Sequence, residues 1–123
     1  MAQASYTGSE RRRSPRVQLT GAALLASRRE PGRAFTAVLD NVNRLGAGFQ
    51  AKESLASGEP VTVSLAFLSQ QGDDEKETLA GRVAWVKPWE RGFFIGVVWD
   101  RAVSKAANPC LASYLEDTLR DAS

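Results

Sequence analysis

The most constraining feature of this sequence is a succession of short runs in which apolar and polar residues alternate, with no helical period between them. In residues 61–68, VTVSLAFL, the larger apolar side chains fall at every second position. Residues 33–42, RAFTAVLDNV, repeat the pattern, with Phe35, Ala37 and Leu39 on one face. Because successive side chains of a strand point to opposite faces, each run predicts a strand with one buried face.

About six strands are predicted in this way. The other four lie in VQLTGAALLAS (17–27), in the short run that follows Gly46 and Gly48, in TLAGRVAWV (78–86) and in FFIGVVWD (93–100). Strands that follow one another without helices pair antiparallel, and six of them in roughly 80 residues favour closure into a small barrel. The glycines at 46 and 48 are expected where the backbone takes a positive φ or approaches another strand closely.

The last part of the chain changes period. Asn108 and Pro109 suit an N-cap and a first helical position, and Leu111, Tyr114, Leu115, Thr118 and Leu119 fall on one side of a helix. The predicted fold class is therefore mainly β: a small six-stranded antiparallel barrel with a C-terminal α-helix over an open edge or end. Residues 11–121 are predicted to form this single domain, after a flexible lead-in of residues 1–10.

Between the predicted strands, two polar segments are predicted to be connections. Residues 69–77, SQQGDDEKE, are expected to form an exposed acidic connection, and residues 87–92, KPWERG, a turn. Trp85, Trp89 and Trp99 are interpreted as core or strand packing, because tryptophans in β-runs usually bury much of their ring.

The composition removes much of the chemistry that an enzyme needs. The 123-residue chain contains no histidine and one cysteine, Cys110, so it offers neither a histidine-based triad nor a thiolate metal cluster. Cys110 is interpreted as a buried structural thiol. We therefore expect a protein that is not an enzyme and that carries no cofactor and no metal. The sequence shows no signal-peptide core and no run near the ~18 apolar residues of a membrane span, which predicts a cytoplasmic protein without membrane insertion.

Positive charge is concentrated at the N-terminal end. Residues 1–34 carry seven arginines and two acids, whereas the rest of the chain carries nine basic and twelve acidic residues. The formal net charge of the chain is only +2, which is less basic than proteins that coat nucleic acid usually are. A small phosphorylated ligand fits this distribution better, and nucleic acid is not the favoured partner.

Two short motifs carry the main functional signal. ERRRSPR contains Arg12-x-x-x-Arg16 directly before the first predicted strand, and NVNRLG gives Asn41-x-Asn43-x-x-Gly46 between the second and third. Their order and spacing, together with the strand pattern, resemble the PilZ domain, a bacterial receptor module for the second messenger cyclic di-GMP whose motifs are RxxxR and (D/N)xSxxG. The resemblance covers roughly residues 10 to 120, with GRVAWV and FFIGVVW as the last two barrel strands.

The resemblance implies roles for the arginines. Arg12 and Arg16 are expected to contact guanine edges and phosphates of cyclic di-GMP. Arg11 resembles the additional arginine of family members that bind two intercalated ligand molecules. Guanine O6 and N7 form a matched acceptor pair for a guanidinium, which can also stack on a purine face. Arg13 lies in the variable part of the motif and is expected to add only non-specific attraction.

The resemblance also implies roles for the second motif. Asn41 and Asn43 are expected to hydrogen-bond guanine or phosphate oxygens, and Gly46 to allow the turn that brings this backbone near the ligand. Asn43 stands where the family usually has serine, and its bulkier amide needs more room. Asp40, directly before the motif, is interpreted as a strand-end cap.

The predicted function is a cyclic di-GMP receptor that converts ligand binding into an altered surface for an effector protein, whose identity the sequence does not give. In this mechanism the arginine segment folds around the ligand against residues 41–46. One alternative is an adapter of the same fold that binds no nucleotide, since some PilZ-like proteins lack a working site. A less favoured alternative is a small barrel that binds single-stranded nucleic acid through arginines and tryptophans. A homodimer also stays open.

Overall fold

The protein folds into a closed six-stranded antiparallel barrel followed by a helix, in a computed structural model that describes residues 21–69 and 72–122. The elements are β1 (Gly21–Ser27), β2 (Ala34–Val42), β3 (Gly46–Ala51), β4 (Pro60–Leu68), β5 (Asp74–Trp89), β6 (Gly92–Trp99) and α1 (Pro109–Ala122). The strands are ordered β1-β2-β3-β6-β5-β4, and β4 pairs with β1 to close the barrel. The predicted fold class is confirmed. Arg11, Arg12, Arg16 and the proposed lead-in lie outside the described residues.

The predicted alternation fills the barrel interior. Val61, Val63, Leu65 and Phe67 of β4 are all buried, and so are the inward residues of β2. Closure of the sheet leaves no open strand edge between β1 and β4, which removes a site for pairing with other chains. Burial of these apolar side chains is the main favourable contribution to the fold.

The helix α1 covers one end of the barrel. Its Leu111, Ala112 and Leu115 are buried, and the Tyr114 ring packs edge-on against Phe67 of β4 with 5.6 Å between ring centroids. The predicted amphipathic helix is thus confirmed as far as Glu116, and the side chains of Thr118 and Leu119 lie outside the described part. Within the described residues, no helix is long and apolar enough to cross a membrane.

Strand β5 is longer than the sequence predicts. It begins at Asp74 and runs to Trp89, so part of the acidic connection is strand, and the predicted turn at KPWERG is reduced to Glu90 and Arg91. The first half of β5 pairs with β4 as far as Arg82 opposite Pro60, and the second half pairs with β6. Because β4 begins at that point, later residues of β5 have a strand neighbour on one side only, and a proline at 88 is tolerated.

A register shift in β5 between Val83 and Trp85 changes which side chains face outward. One extra residue in a strand interrupts the alternation of faces, and Trp85 consequently lies on the outside of the barrel, 45% exposed. Trp99 is buried and Trp89 is half-buried. The interpretation of the tryptophans as core or strand packing is thus confirmed for Trp99 in the core, and Trp85 packs on the outer face of β6 rather than in the core.

Candidate functional site

The second motif forms a tight turn between β2 and β3. Asn43 Oδ1 accepts hydrogen bonds from the backbone N–H groups of Leu45 and Gly46, at 2.8 and 2.9 Å, and the Asn43 N–H donates to the Gly46 carbonyl at 2.9 Å. Asparagine stabilises turns by accepting bonds from amides two and three residues ahead, as serine does more weakly. Asn43 therefore caps this turn, a task that a serine hydroxyl can also perform.

The turn is fixed to β6 by the buried Trp99. The Trp99 indole N–H donates to the Asn43 carbonyl at 3.3 Å, and the Trp99 backbone N–H donates to the Leu45 carbonyl at 2.9 Å. A turn with bonds both within itself and to a neighbouring strand loses little entropy when it binds a ligand, since its conformation is already fixed.

Gly46 is required because two backbones approach closely. A Cβ at this position would collide with the Val97 carbonyl oxygen on β6. Gly46 and Gly48 are not among the glycines with positive φ, which in the described chain are Gly32, Gly58, Gly72 and Gly92. The expectation of close approach is confirmed at Gly46, and the alternative of a positive φ is wrong.

Asn41, Gly48, Gly96 and Trp85 form a row across the outer faces of β2, β3, β6 and β5, each paired with the next. A Cβ at Gly48 would lie 3.0 Å from Asn41 Nδ2, and a Cβ at Gly96 would overlap the Trp85 indole. The two glycines thus allow an amide and an aromatic ring to lie directly on the sheet. We call these four residues the amide–indole row.

Asp40 orients the amide at one end of this row. The ladder between β2 and β3 shifts register between Leu39 and Asn41, and Asn41 Nδ2 donates to Asp40 Oδ2 at 3.0 Å. Strand β2 continues to Val42, so the interpretation of Asp40 as a strand-end cap is wrong. Its carboxylate instead holds the amide group of the neighbouring asparagine.

The structure brings the three described motif residues together at one end of β2 and β3. The chain that follows the arginines enters the barrel beside them, because Gly21 at the start of β1 pairs with Leu39 of β2. Four residues separate Arg16 from Gly21, and the five Cα–Cα steps between them span at most about 18 Å when extended. Arg16 is thus close in sequence to the strand that pairs with β2 beside Asn41.

Trp85 was not among the residues predicted for the cyclic di-GMP site, although the nucleic-acid alternative included the tryptophans. The run AGRVAWV reads as uninterrupted alternation, so nothing within it marks the register shift that turns the indole outward. The available signal was Gly96 in the middle of an aromatic and β-branched strand, since such a glycine often marks a bulge or a close approach.

The sulfhydryl at the start of α1 is not arranged for nucleophilic chemistry. Cys110 is half-buried, and a hydrogen bond to Glu75, together with burial and the charges of Glu75 and Glu77, raises its pKa to about 11. The thiol is thus protonated near neutral pH, although it is less buried than the sequence predicts. Among the described residues, no group of three or more histidine, cysteine or acidic side chains is placed to hold a metal ion.

Comparisons with known proteins agree with this architecture. A family model described as the PilZ domain matches residues 10–117. The structure of the Bacillus subtilis inhibitor of motility (MotI/DgrA) superposes with a TM-score of 0.66 at 12% identity, covering 89% of this chain and 52% of that one, so this chain spans about half the length of that protein. The PilZ domain of CeSA from a cellulose-synthesizing bacterium aligns with a TM-score of 0.48 at 16% identity, covering 72% and 82% of the two chains. No curated protein sequence gives a significant match.

Proposed function

Because the chain belongs to the PilZ domain family, a family of cyclic di-GMP receptors, we propose that it binds cyclic di-GMP and passes the signal on through a protein contact. The observation that carries this proposal is the position of Gly21 beside β2. With only four residues between Arg16 and Gly21, this position supports a complex in which the arginine segment reaches Asn41 and the turn capped by Asn43.

In the proposed complex, Arg12 and Arg16 hold the ligand from above the sheet, and Arg11 contacts a second ligand molecule if two bind. Guanidinium groups pair with guanine O6 and N7 and with phosphate oxygens in a bidentate manner. Asn41 offers amide atoms to a guanine edge. Asn43 contributes through its Nδ2 group and through the turn, because its Oδ1 already accepts two backbone hydrogen bonds.

Trp85 adds a stacking surface to this proposal. Its indole lies over Gly96 of β6. Gly96 is two strands away from Asn41 of β2, and Gly48 of β3 lies between them. Nearly half of the Trp85 side chain is exposed. Backbones of neighbouring strands are about 4.8 Å apart, so Asn41 and Trp85 are separated by about 14 Å at the backbone and by less at their side-chain ends. An indole and an amide at this separation can contact the face and the edge of one purine.

The proposed output is a changed surface for an effector protein. PilZ domains are generally binding modules and not enzymes, which agrees with a role in relaying a signal. Closure of the arginine segment over the ligand would alter the surface beside β1 and β2. A conformational change of this kind requires that the ligand bind the closed state more tightly than the open one.

Calorimetric titration of the full chain with cyclic di-GMP tests the proposal. We expect micromolar or tighter binding, reduced at least about tenfold by Arg16→Ala and by Asn41→Ala, since each removes a charged or polar contact of about 1.5 to 3 kcal/mol. Arg13→Ala is the matched control, because it removes the same charge from the same segment without a specific contact. Trp85→Leu is expected to weaken binding by a smaller factor.

Two outcomes would contradict the receptor proposal. Absence of binding by a folded protein favours the adapter that binds no nucleotide. Equal losses in the Arg13→Ala and Arg16→Ala variants indicate general electrostatic attraction, and binding of many oligonucleotides with steep salt dependence would then favour a nucleic-acid-binding barrel.

A further inference from the structure

Two exposed aliphatic side chains lie at the end of β6, beside the proposed ligand site. Val98 is 52% exposed on the outer face of β6, and Leu45, in the turn before β3, is 50% exposed. The two are neighbours, because Gly46 pairs with Val98 and the Leu45 carbonyl accepts a hydrogen bond from the Trp99 N–H. Leucine and valine offer a nucleotide neither a hydrogen bond nor an aromatic face, so the proposed ligand does not account for their exposure.

Trp85 extends this apolar surface onto β5. It pairs with Gly96, two residues before Val98 on the same face of β6, and it is 45% exposed. Trp85 and Val98 are thus diagonal neighbours, about 7 to 8 Å apart at the backbone and within reach of one another's side chains. We call Leu45, Trp85 and Val98 the rim patch. Apolar side chains that are exposed side by side indicate an interaction surface.

The charged groups around the rim patch are basic. Arg82 pairs directly with Val98 across β5 and β6, which places their Cβ atoms about 5 Å apart. Lys87 lies further along the outer side of β5, and Arg44 is exposed in the turn before β3. The outward residues described on β3, β6 and 82–89 of β5 include no acidic side chain. This surface therefore attracts a partner with negative charge.

Two acids of neighbouring segments already have partners. Asp100, directly after β6, pairs with Arg28 at 3.0 Å, and Asp40 accepts a hydrogen bond from the Asn41 amide. Neither carboxylate has to be displaced for a partner to reach the basic groups beside the rim patch.

We propose that the rim patch binds an acidic segment of the effector protein, one that presents apolar side chains among carboxylates. The inference rests on the proposed receptor function, which requires an effector. Leu45 and Val98 bury the apolar side chains of this segment. The Arg82 guanidinium donates from Nη1 to the Gly58 carbonyl at 3.3 Å and has further N–H groups to offer a carboxylate.

A protein segment fits this surface better than a nucleic acid strand. Strands of nucleic acid stack successive bases on several exposed rings, but Trp89 and Phe94 on this side stack on each other, 5.0 Å apart at their centroids, and Trp89 Nε1 is buried. Among the rings described on the outer faces of β5 and β6, Trp85 is left to stack on a base. Because the barrel wall curves, a contact confined to β3, β5 and β6 suits a short segment rather than a second sheet.

An NMR titration of the isotopically labelled full chain tests the proposal with a short synthetic peptide of leucine, glutamate and serine. We expect binding in the range of about 10 to 500 µM, as small interfaces give. The largest shifts are expected at the amides of Leu45, Gly46 and Val98 and at the Trp85 indole. A second peptide with serine in place of leucine keeps the carboxylates and measures attraction to the N-terminal arginines alone, and it is expected to leave the rim patch unshifted.

Val98→Ser and Leu45→Ser are each expected to weaken binding of the leucine peptide at least about fivefold, since each removes apolar area from the contact. Both should leave cyclic di-GMP binding unchanged. The matched controls are Val38→Ser and Leu24→Ser, which remove the same side chains, 55% and 43% exposed, from the outer faces of β2 and β1. They are expected to bind the peptide as the wild type does, and the spectrum of each variant shows that it is folded.

Several results overturn the inference. They are an absence of shifts at the rim patch, equal losses in the control variants, and equal binding of the serine peptide. Oligothymidine that shifts the same amides as tightly overturns it in favour of a nucleic acid partner, and loss of cyclic di-GMP binding in Val98→Ser assigns that residue to the ligand site instead. Peptide binding at the rim patch by a chain that does not bind cyclic di-GMP contradicts only the receptor proposal, and it supports the patch as the surface of an adapter.

Discussion

At the scale of single residues, Glu59 has an environment that couples stability to pH. Its side chain is 6% exposed, accepts a hydrogen bond from Ser27 Oγ at 2.5 Å and another from the Ala56 N–H at 3.0 Å. Ser27 Oγ in turn accepts from the N–H groups of Arg29 and Glu30. The bond from Ser27, followed by the bond from Ala56, lowers the pKa of Glu59 below its ordinary value of 4.5.

A group whose pKa is lower in the folded state stabilises the fold above its unfolded pKa, and this stabilisation is lost as pH falls through the folded pKa. Glu59→Gln is therefore expected to destabilise the protein at pH 7 by about 1 to 3 kcal/mol. The amide replaces one accepting carboxylate oxygen with an NH₂ group, which then faces the hydrogen-bond donor of Ser27 or Ala56. Urea denaturation of both proteins between pH 7 and pH 3 measures the effect. The difference should shrink below pH 4.5; a constant difference would show that the carboxylate charge is not involved.

Cys110 gives a second prediction at this scale. Because the hydrogen bond to Glu75 raises the pKa of the thiol to about 11, very little thiolate is present at pH 8, and thiolate is the form that reacts. Alkylation by iodoacetamide at pH 8 is expected to be at least about tenfold slower in the native protein than in urea. Glu75→Gln removes the main cause of the shift and should speed the native reaction, with the rate in urea as the control.

At the scale of elements, Glu77 joins the helix to the barrel. Its Oε1 accepts a hydrogen bond from the Leu111 N–H in the first turn of α1 at 2.9 Å. First-turn amides lack partners within the helix, and a carboxylate from another strand satisfies one of them and also favours the helix dipole. Glu77→Ala is expected to destabilise the fold by about 1 kcal/mol. Hydrogen exchange should show the loss of protection concentrated in α1, with the exposed Lys76→Ala as the neighbouring control.

The same scale shows what the sequence could predict. Period-two runs predicted β2 and β4 with their buried faces, because inward residues such as Phe35 and Val63 must fill a closed barrel. The sequence did not predict that β5 continues to Trp89, since a proline normally argues against a strand and its tolerance depends on where β4 begins. For the candidate site, the motif predicted Asn41, Asn43 and Gly46, which the structure brings together at one end of β2 and β3, and their contact with a ligand stays a prediction. Trp85 was missed because a register shift depends on tertiary pairing with Gly96.

At the scale of the whole molecule, the N-terminal arginines and the barrel contribute different groups to the proposed ligand site. Four arginines, at positions 11, 12, 13 and 16, precede β1 in the sequence, while the described barrel supplies a preformed turn and the amide–indole row. A ligand that binds only when both parts are folded together stabilises the native state by mass action. At a ligand concentration of about 100 times Kd the stabilisation is about 2.7 kcal/mol, which corresponds to a rise in Tm on the order of 10 °C for a domain of this size.

Thermal melting with and without cyclic di-GMP measures this coupling in the intact chain. We expect the rise in Tm to grow with the logarithm of ligand concentration above Kd. It should be lost in an Arg12→Ala, Arg16→Ala double variant. The Tm of this variant without ligand is expected to match that of the wild type, because arginine side chains seldom belong to an apolar core. GMP and a single-stranded oligonucleotide serve as controls for the guanine alone and for general phosphate attraction. A similar rise with the oligonucleotide, or a rise that survives in the double variant, would show that the stabilising contact is not the arginine motif acting with the turn at residues 43–46.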